Sequence, residues 1–136
     1  MRRRRSALML LPLTALVLAG CGQSSDRAAA RAATERFLTA FRADDGAAAC
    51  AALNSETRKA LEREESGPCP ETVGALELDG GAVTKVQVAV TNAKVDLAGG
   101  ESVFLSEQAA GWRISALGCR PDGPPTTVPF ACELEA

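Results

Sequence analysis

Acid–base chemistry near neutral pH needs a group that titrates there, and histidine is the usual one. This chain contains no His and no Tyr. Any proton transfer would therefore fall to carboxylates. Asp96 is the best placed of them, inside a run that alternates Lys94, Val95, Asp96 and Leu97. That alternation puts Asp96 beside Lys94 and opposite Val95 and Leu97, the pattern of a solvated pair on an outward face. Glu77 and Asp79 lie near Gly80-Gly81, and Glu62, Glu64 and Glu65 form a charge run on a helix. The run reads as a solvated helix face, because calcium binding needs a looped ligand spacing. Serine nucleophiles lack a His base. No glycine-rich phosphate loop is present, and Gly80-Gly81 and Gly99-Gly100 read as hairpin turns. No catalytic residue and no cofactor are expected.

The five cysteines carry the clearest chemistry. Cys50, Cys69, Cys119 and Cys132 are spread without a Cys-x-x-Cys pair, so zinc spacing and a redox dithiol both fail, and no metal site is expected. In an oxidising compartment an even count implies disulfides. Four cysteines permit three pairings. The local ones, Cys50–Cys69 and Cys119–Cys132, are the expectation. Each would close a short loop, stabilising by about 3 kcal/mol in the chain-entropy model.

Cys21 stands apart from these four. Arg2 to Arg5 form a basic block, and Ser6 to Leu18 are apolar apart from Thr14. A charged block, a short apolar core and a small-residue exit are the layout of a secretory signal. The apolar core is short of the roughly 20 residues of a membrane span. Leu18-Ala19-Gly20-Cys21 resembles the lipobox of bacterial lipoproteins. The resemblance implies cleavage before Cys21 and attachment of lipid to its sulfur, with fatty-acyl chains such as palmitate as the anchor. Each buried CH₂ of such a chain contributes about 0.8 kcal/mol. The expected location is the extracytoplasmic face of the cell membrane, with the membrane as partner through the N-terminal lipid.

Residues 1–20 hold four of the 15 basic residues and none of the 17 acidic ones. Their removal leaves 11 basic against 17 acidic, a net charge of −6. A nucleic-acid binder needs a basic face, so no nucleic-acid partner is expected.

The elements that would position these groups follow from periodicity. Residues 21–26 read as the lipidated cysteine and a polar tether. Ala30, Ala33, Phe37 and Phe41 recur every three or four residues, which predicts a helix from Ser25 to Ala43. Asp44 or Asp45 can cap a second helix through Leu53, and Asn54 or Ser55 a third to about Glu65. Gly67-Pro68 breaks that helix, and Pro70 suits the first turn of a brief fourth. After Gly81 the period becomes two. Val86, Val88 and Val90 alternate with polar neighbours, Asn92 suits a turn, and strands follow at Lys94–Leu97, Ser102–Glu107 and Trp112–Leu117. Helices followed by an antiparallel meander predict an α+β domain, with helices on one sheet face. Residues 120–136 are proline-rich and read as an irregular flap stapled by Cys119–Cys132.

Ala32-Ala33-Thr34-Glu35-Arg36-Phe37-Leu38-Thr39-Ala40-Phe41 resembles the opening helix of NTF2-like, cystatin-related α+β domains. Asp44 to Cys50 resembles their next helix, and Gly111-Trp112-Arg113-Ile114 their last strand. The similarity spans residues 27–119. It implies a cone of helices on a curved sheet, and makes Phe37, Phe41 and Trp112 the candidates to line a ligand pocket. Domains of this kind include isomerases and dehydratases, and others that only bind or assemble. The expected function is a membrane-anchored, non-enzymatic binding or interaction module. A small isomerase- or dehydratase-like enzyme is the alternative, and a buried, unpaired carboxylate in a pocket would favour it.

Overall fold

A computed structural model describes residues 21–124 and 130–136. The signal segment and Leu18–Gly20 of the lipobox lie outside the described residues.

Among the described residues, four α-helices precede a meander of strands, an α+β architecture. Helix α1 spans Cys21–Arg42. Residues 22–29, which include the expected tether, are helical and mostly exposed, and packing begins at Ala30. From there Ala30, Ala33, Thr34, Phe37, Leu38 and Ala40 are buried. Thr34 satisfies its hydroxyl on its own helix, donating to the Ala30 carbonyl at 3.0 Å. Asp44 closes the helix in the left-handed conformation, φ 54°.

Asp45 then caps α2 (Gly46–Ala52), accepting from the Ala48 N–H at 3.0 Å. Asn54 caps α3 (Ser55–Glu64), accepting from the Thr57 N–H at 2.7 Å. These caps satisfy donors that a helix start leaves unpaired. Helix α4 (Cys69–Thr72) follows, with Pro70 in its first turn. Within the charge run, Glu64 and Glu65 are exposed, but Glu62 is half-buried and accepts from the Cys69 N–H at 3.3 Å. Disulfide Cys50–Cys69 ties α2 to α4. The two approach so closely that a side chain on Gly46 would place its Cβ 1.9 Å from the Pro70 carbonyl oxygen.

The sheet runs β1 (Val83–Ala89), β2 (Asn92–Leu97), β3 (Ser102–Gln108) and β4 (Gly111–Pro121), each antiparallel to the next. Two turns differ from expectation. Ala89 pairs with Asn92, so the chain reverses at Val90-Thr91 and Asn92 is already in β2. Val90 shares the parity of Val86 and Val88, yet it is 88% exposed, because the reversal takes it out of the strand. Gly99-Gly100 does turn β2 into β3, but Gly80-Gly81 is no hairpin. It precedes β1 and runs alongside Ala98, where a Cβ on Gly81 would lie 1.9 Å from the Ala98 carbonyl oxygen. The glycine is required there for close passage and not for a reversal.

The flap is more regular than its prolines suggest. Beyond residues 125–129, which lie outside the described residues, β5 (Phe130–Ala131) pairs with Arg120 and Pro121. Strand β6 (Leu134–Glu135) pairs with Ala116 and Leu117. Cys119–Cys132 is bonded, so both pairings of local cysteines form. The second edge of β4 is thereby covered from Ile114 to Pro121. Leu53 bridges to Ile114, the Asn54 N–H donates to the Ile114 carbonyl at 2.8 Å, and β6 and β5 follow. A covered edge removes a template for pairing with another chain.

The core lies between α1 and the sheet. Phe37, Leu53, Leu61, Val95, Val103, Leu105, Ile114, Leu117 and Leu134 are its fully buried large side chains. Among the described residues, every member of this core lies between Ala30 and Leu134, and both disulfides close within that span, so residues 22–136 carry the whole of the described core.

Candidate functional site

Residues of α1, α2 and the start of β4 line a groove of about 780 Å³, within the range of small-molecule sites. Its floor is set by Ala33 and Ala40, which are buried, and its walls by alanines of both helices. Alanine is the reason a groove exists here. The helix periodicity turns Ala32 and Ala40 of α1 and Ala48, Ala51 and Ala52 of α2 toward the same valley, with Ala43 of the turn between them, where longer side chains would fill it. Trp112 and Arg113, at the start of β4, border the groove.

The groove lining carries two acids, Glu35 and Asp45, and two bases, Arg36 and Arg113. Its acids are engaged: Glu35 pairs with Arg31 at 3.4 Å, and Asp45 holds the α2 cap. Arg36 has no hydrogen-bond or ion-pair partner among the described residues. Arg113 donates at 3.1 Å to the carbonyl of Trp112 and meets no carboxylate among the described residues. The groove is therefore lined by two arginines that form no ion pair among the described residues, beside apolar walls.

The aromatic candidates separate. Trp112, 5% exposed, lines the groove. Phe37 is fully buried in the core and faces no opening. Phe41 is only half-buried, stacked on Phe37 with ring centroids 5.8 Å apart. It borders a different, smaller cleft of about 180 Å³ against Pro70 and Glu71. The three do not converge on one pocket.

The carboxylate candidates separate as well. Asp96 forms the expected pair with Lys94, at 2.7 Å, on the sheet face away from α1. The pair is more enclosed than the alternation alone implies, with side chains 30% and 27% exposed. Phe130 of the flap lies over it, its ring centroid 5.2 Å from the Lys94 Nζ and 5.0 Å from the Phe104 ring. Ser102 donates to Asp96 at 2.8 Å. Burial pushes the Asp96 pKa up, but the hydrogen bonds from Lys94 and Ser102 and the charges of Lys94 and Lys85 outweigh it and hold the pKa below 3.8. Asp79 pairs with Arg120, which also donates to the Gly99 carbonyl at 3.1 Å. Glu77 offers its backbone N–H to Glu133 at 3.3 Å.

Sequence reasoning missed Glu101, which is 3% exposed. Its Oε2 accepts from the Gly80 N–H at 3.1 Å, while Arg42 donates to the Gly80 carbonyl. The crevice beside it has no room for a water molecule, so this buried carboxylate fastens the loop before β1 and faces no substrate space. Its place after Gly99-Gly100 gave a turn signal but no sign of burial.

Among the described residues, no group of three or more His, Cys, Asp or Glu could hold a metal ion, and no helix is long and apolar enough to cross a membrane. The chain matches no protein-family model, no curated protein and no solved structure.

Proposed function

We propose that this protein is a lipid-anchored, extracytoplasmic binding module with no catalytic activity, built on an NTF2-like domain. The α1–α2 groove supports the binding role. Its walls are methyl groups and an indole, its carboxylates are committed elsewhere, and its free groups are cations that hold charge without exchanging protons at neutral pH. Such a surface retains a molecule and has no tuned acid or base to transform it. The Leu18–Cys21 motif supports the anchor. The pairing of the other four cysteines suits an oxidising compartment and leaves Cys21 as the odd thiol.

Two experiments test this reading. Cys21→Ser should move the protein out of the membrane fraction or leave it unprocessed; a mature N-terminus beyond Cys21, without lipid, would end the anchoring proposal. Native mass spectrometry of protein recovered from cells should show an adduct that Ala51→Leu removes. Ala51 is exposed and lines the groove, so the added isobutyl group occupies the groove and leaves the core untouched. An adduct that survives Ala51→Leu, or no adduct, counts against the groove as the binding site.

A further inference from the structure

Trp112 is the single tryptophan of the chain and is 5% exposed, yet its indole N–H donates to no group in the described structure. No fully buried side-chain nitrogen lacks a partner among the described residues, so this N–H keeps an opening to solvent. The groove is the concavity that Trp112 lines. Three residues that carry donors without an anionic partner, Arg36, Arg113 and Trp112, thus line one alanine-walled valley. Each is a donor only, so a molecule that satisfies them must bring acceptors. Guanidinium groups match oxyanions with paired, charge-assisted hydrogen bonds. The alanine methyls need the opposite, a surface with no polar groups to desolvate.

We infer that the groove binds a single-chain amphiphile with an anionic head, its oxyanion held by Arg36 and Arg113 and its alkyl tail laid along the alanines of α1 and α2. A helix of a partner protein fits the valley less well. Its apolar face would cover the Trp112 N–H and both guanidiniums without supplying acceptors, and unpaired buried donors oppose association. This inference rests on the groove being the binding site of the module and adds the class of ligand.

The single tryptophan makes the test direct. Residues 22–136 are titrated with dodecyl phosphate, below its micelle concentration, while Trp112 emission is followed. The expected result is a saturable change in emission. Dodecanol and dodecyltrimethylammonium should bind about tenfold more weakly or worse, since neither offers an oxyanion. Inorganic phosphate should leave the emission unchanged, which separates an amphiphile site from a bare anion site. The double variant R36Q/R113Q should weaken dodecyl phosphate about tenfold, and Ala51→Leu should abolish the signal, both with unchanged denaturant midpoints.

Equal binding of dodecanol overturns the anionic head. Equal binding of inorganic phosphate overturns the tail. A signal that survives Ala51→Leu overturns the groove. Sedimentation that finds a dimer broken by Ala51→Leu assigns the groove to a second copy of the chain and overturns the ligand class. Failure of dodecyl phosphate while a groove-dependent adduct persists in native mass spectrometry removes only the amphiphile, and the module stands. Loss of both removes the module.

Discussion

On the side of the sheet that meets α1, Ala93, Val95, Leu97, Val103, Leu105 and Ile114 are all buried. On the other side Lys94, Asp96, Phe104 and Ser106 remain half-exposed, although they alternate with those same residues. The first face is closed by a helix carrying a continuous apolar stripe. The second is closed only in part, by a tail fixed through Cys119–Cys132 that brings Phe130 over Phe104 and Lys94. Apolar burial stabilises in proportion to area removed from water, whereas a half-exposed ion pair under one ring contributes little. The two faces of one sheet therefore carry unequal shares of stability.

Substitutions on each face test that inequality. Phe37→Ala should have the largest effect, about 3 to 5 kcal/mol in a denaturant melt, because it empties a fully buried site. Phe130→Ala on the outer face should cost only about 1 kcal/mol, the scale of an edge-on aromatic contact. Equal losses would break the comparison and make the flap a second core.

Val90→Gly addresses the hairpin at the end of both faces. Val90 is held at φ 55°, a left-handed conformation that a β-branched residue resists. The glycine variant should be about 1 kcal/mol more stable, and a destabilised variant would assign Val90 a packing role that its exposure denies.

Asp96→Asn should have the smallest effect, about 0.5 kcal/mol at neutral pH, as for a partly exposed pair. Its pKa is held below the ordinary carboxyl value, so the folded protein favours the carboxylate. That contribution is complete well above the ordinary carboxyl range and is lost as the pH falls through the lowered folded value. The gap between wild type and variant should therefore close in acid, and a gap that widens in acid would mean that Asp96 is stabilised by something other than Lys94 and Ser102.

The sequence disclosed most of this architecture because its signals were local. The 3.6 period of Ala30, Ala33 and Phe37 and the period of two in β2 and β3 are properties of neighbouring residues, and so are the caps at Asp45 and Asn54. Both disulfides join cysteines at most 19 positions apart, within reach of the same reasoning. What stayed hidden depends on distant partners. Asn92 outranks Val90 as a turn former, yet the cross-strand register puts the reversal at Val90. Glu101 is buried because Gly80, 21 positions earlier, passes over it. The groove was invisible for a related reason. Alanines suit any helix surface, and only the assembly of α1, α2 and the start of β4 makes a groove of them. Of the three aromatic candidates, Trp112 alone proved to line it.

The two disulfides neither overlap nor enclose one another in the chain: one is complete at Cys69 and the other begins at Cys119. This order has a consequence in time. A chain that emerges from its N-terminus exposes both ends of the first loop before any strand of the sheet has appeared. Closing so short a loop costs little entropy and needs no distant partner. The helical half can thus reach its covalent form while the sheet is still unmade. If Cys50 and Cys69 close on emergence, Cys132 is the one thiol of the four left for Cys119 to meet.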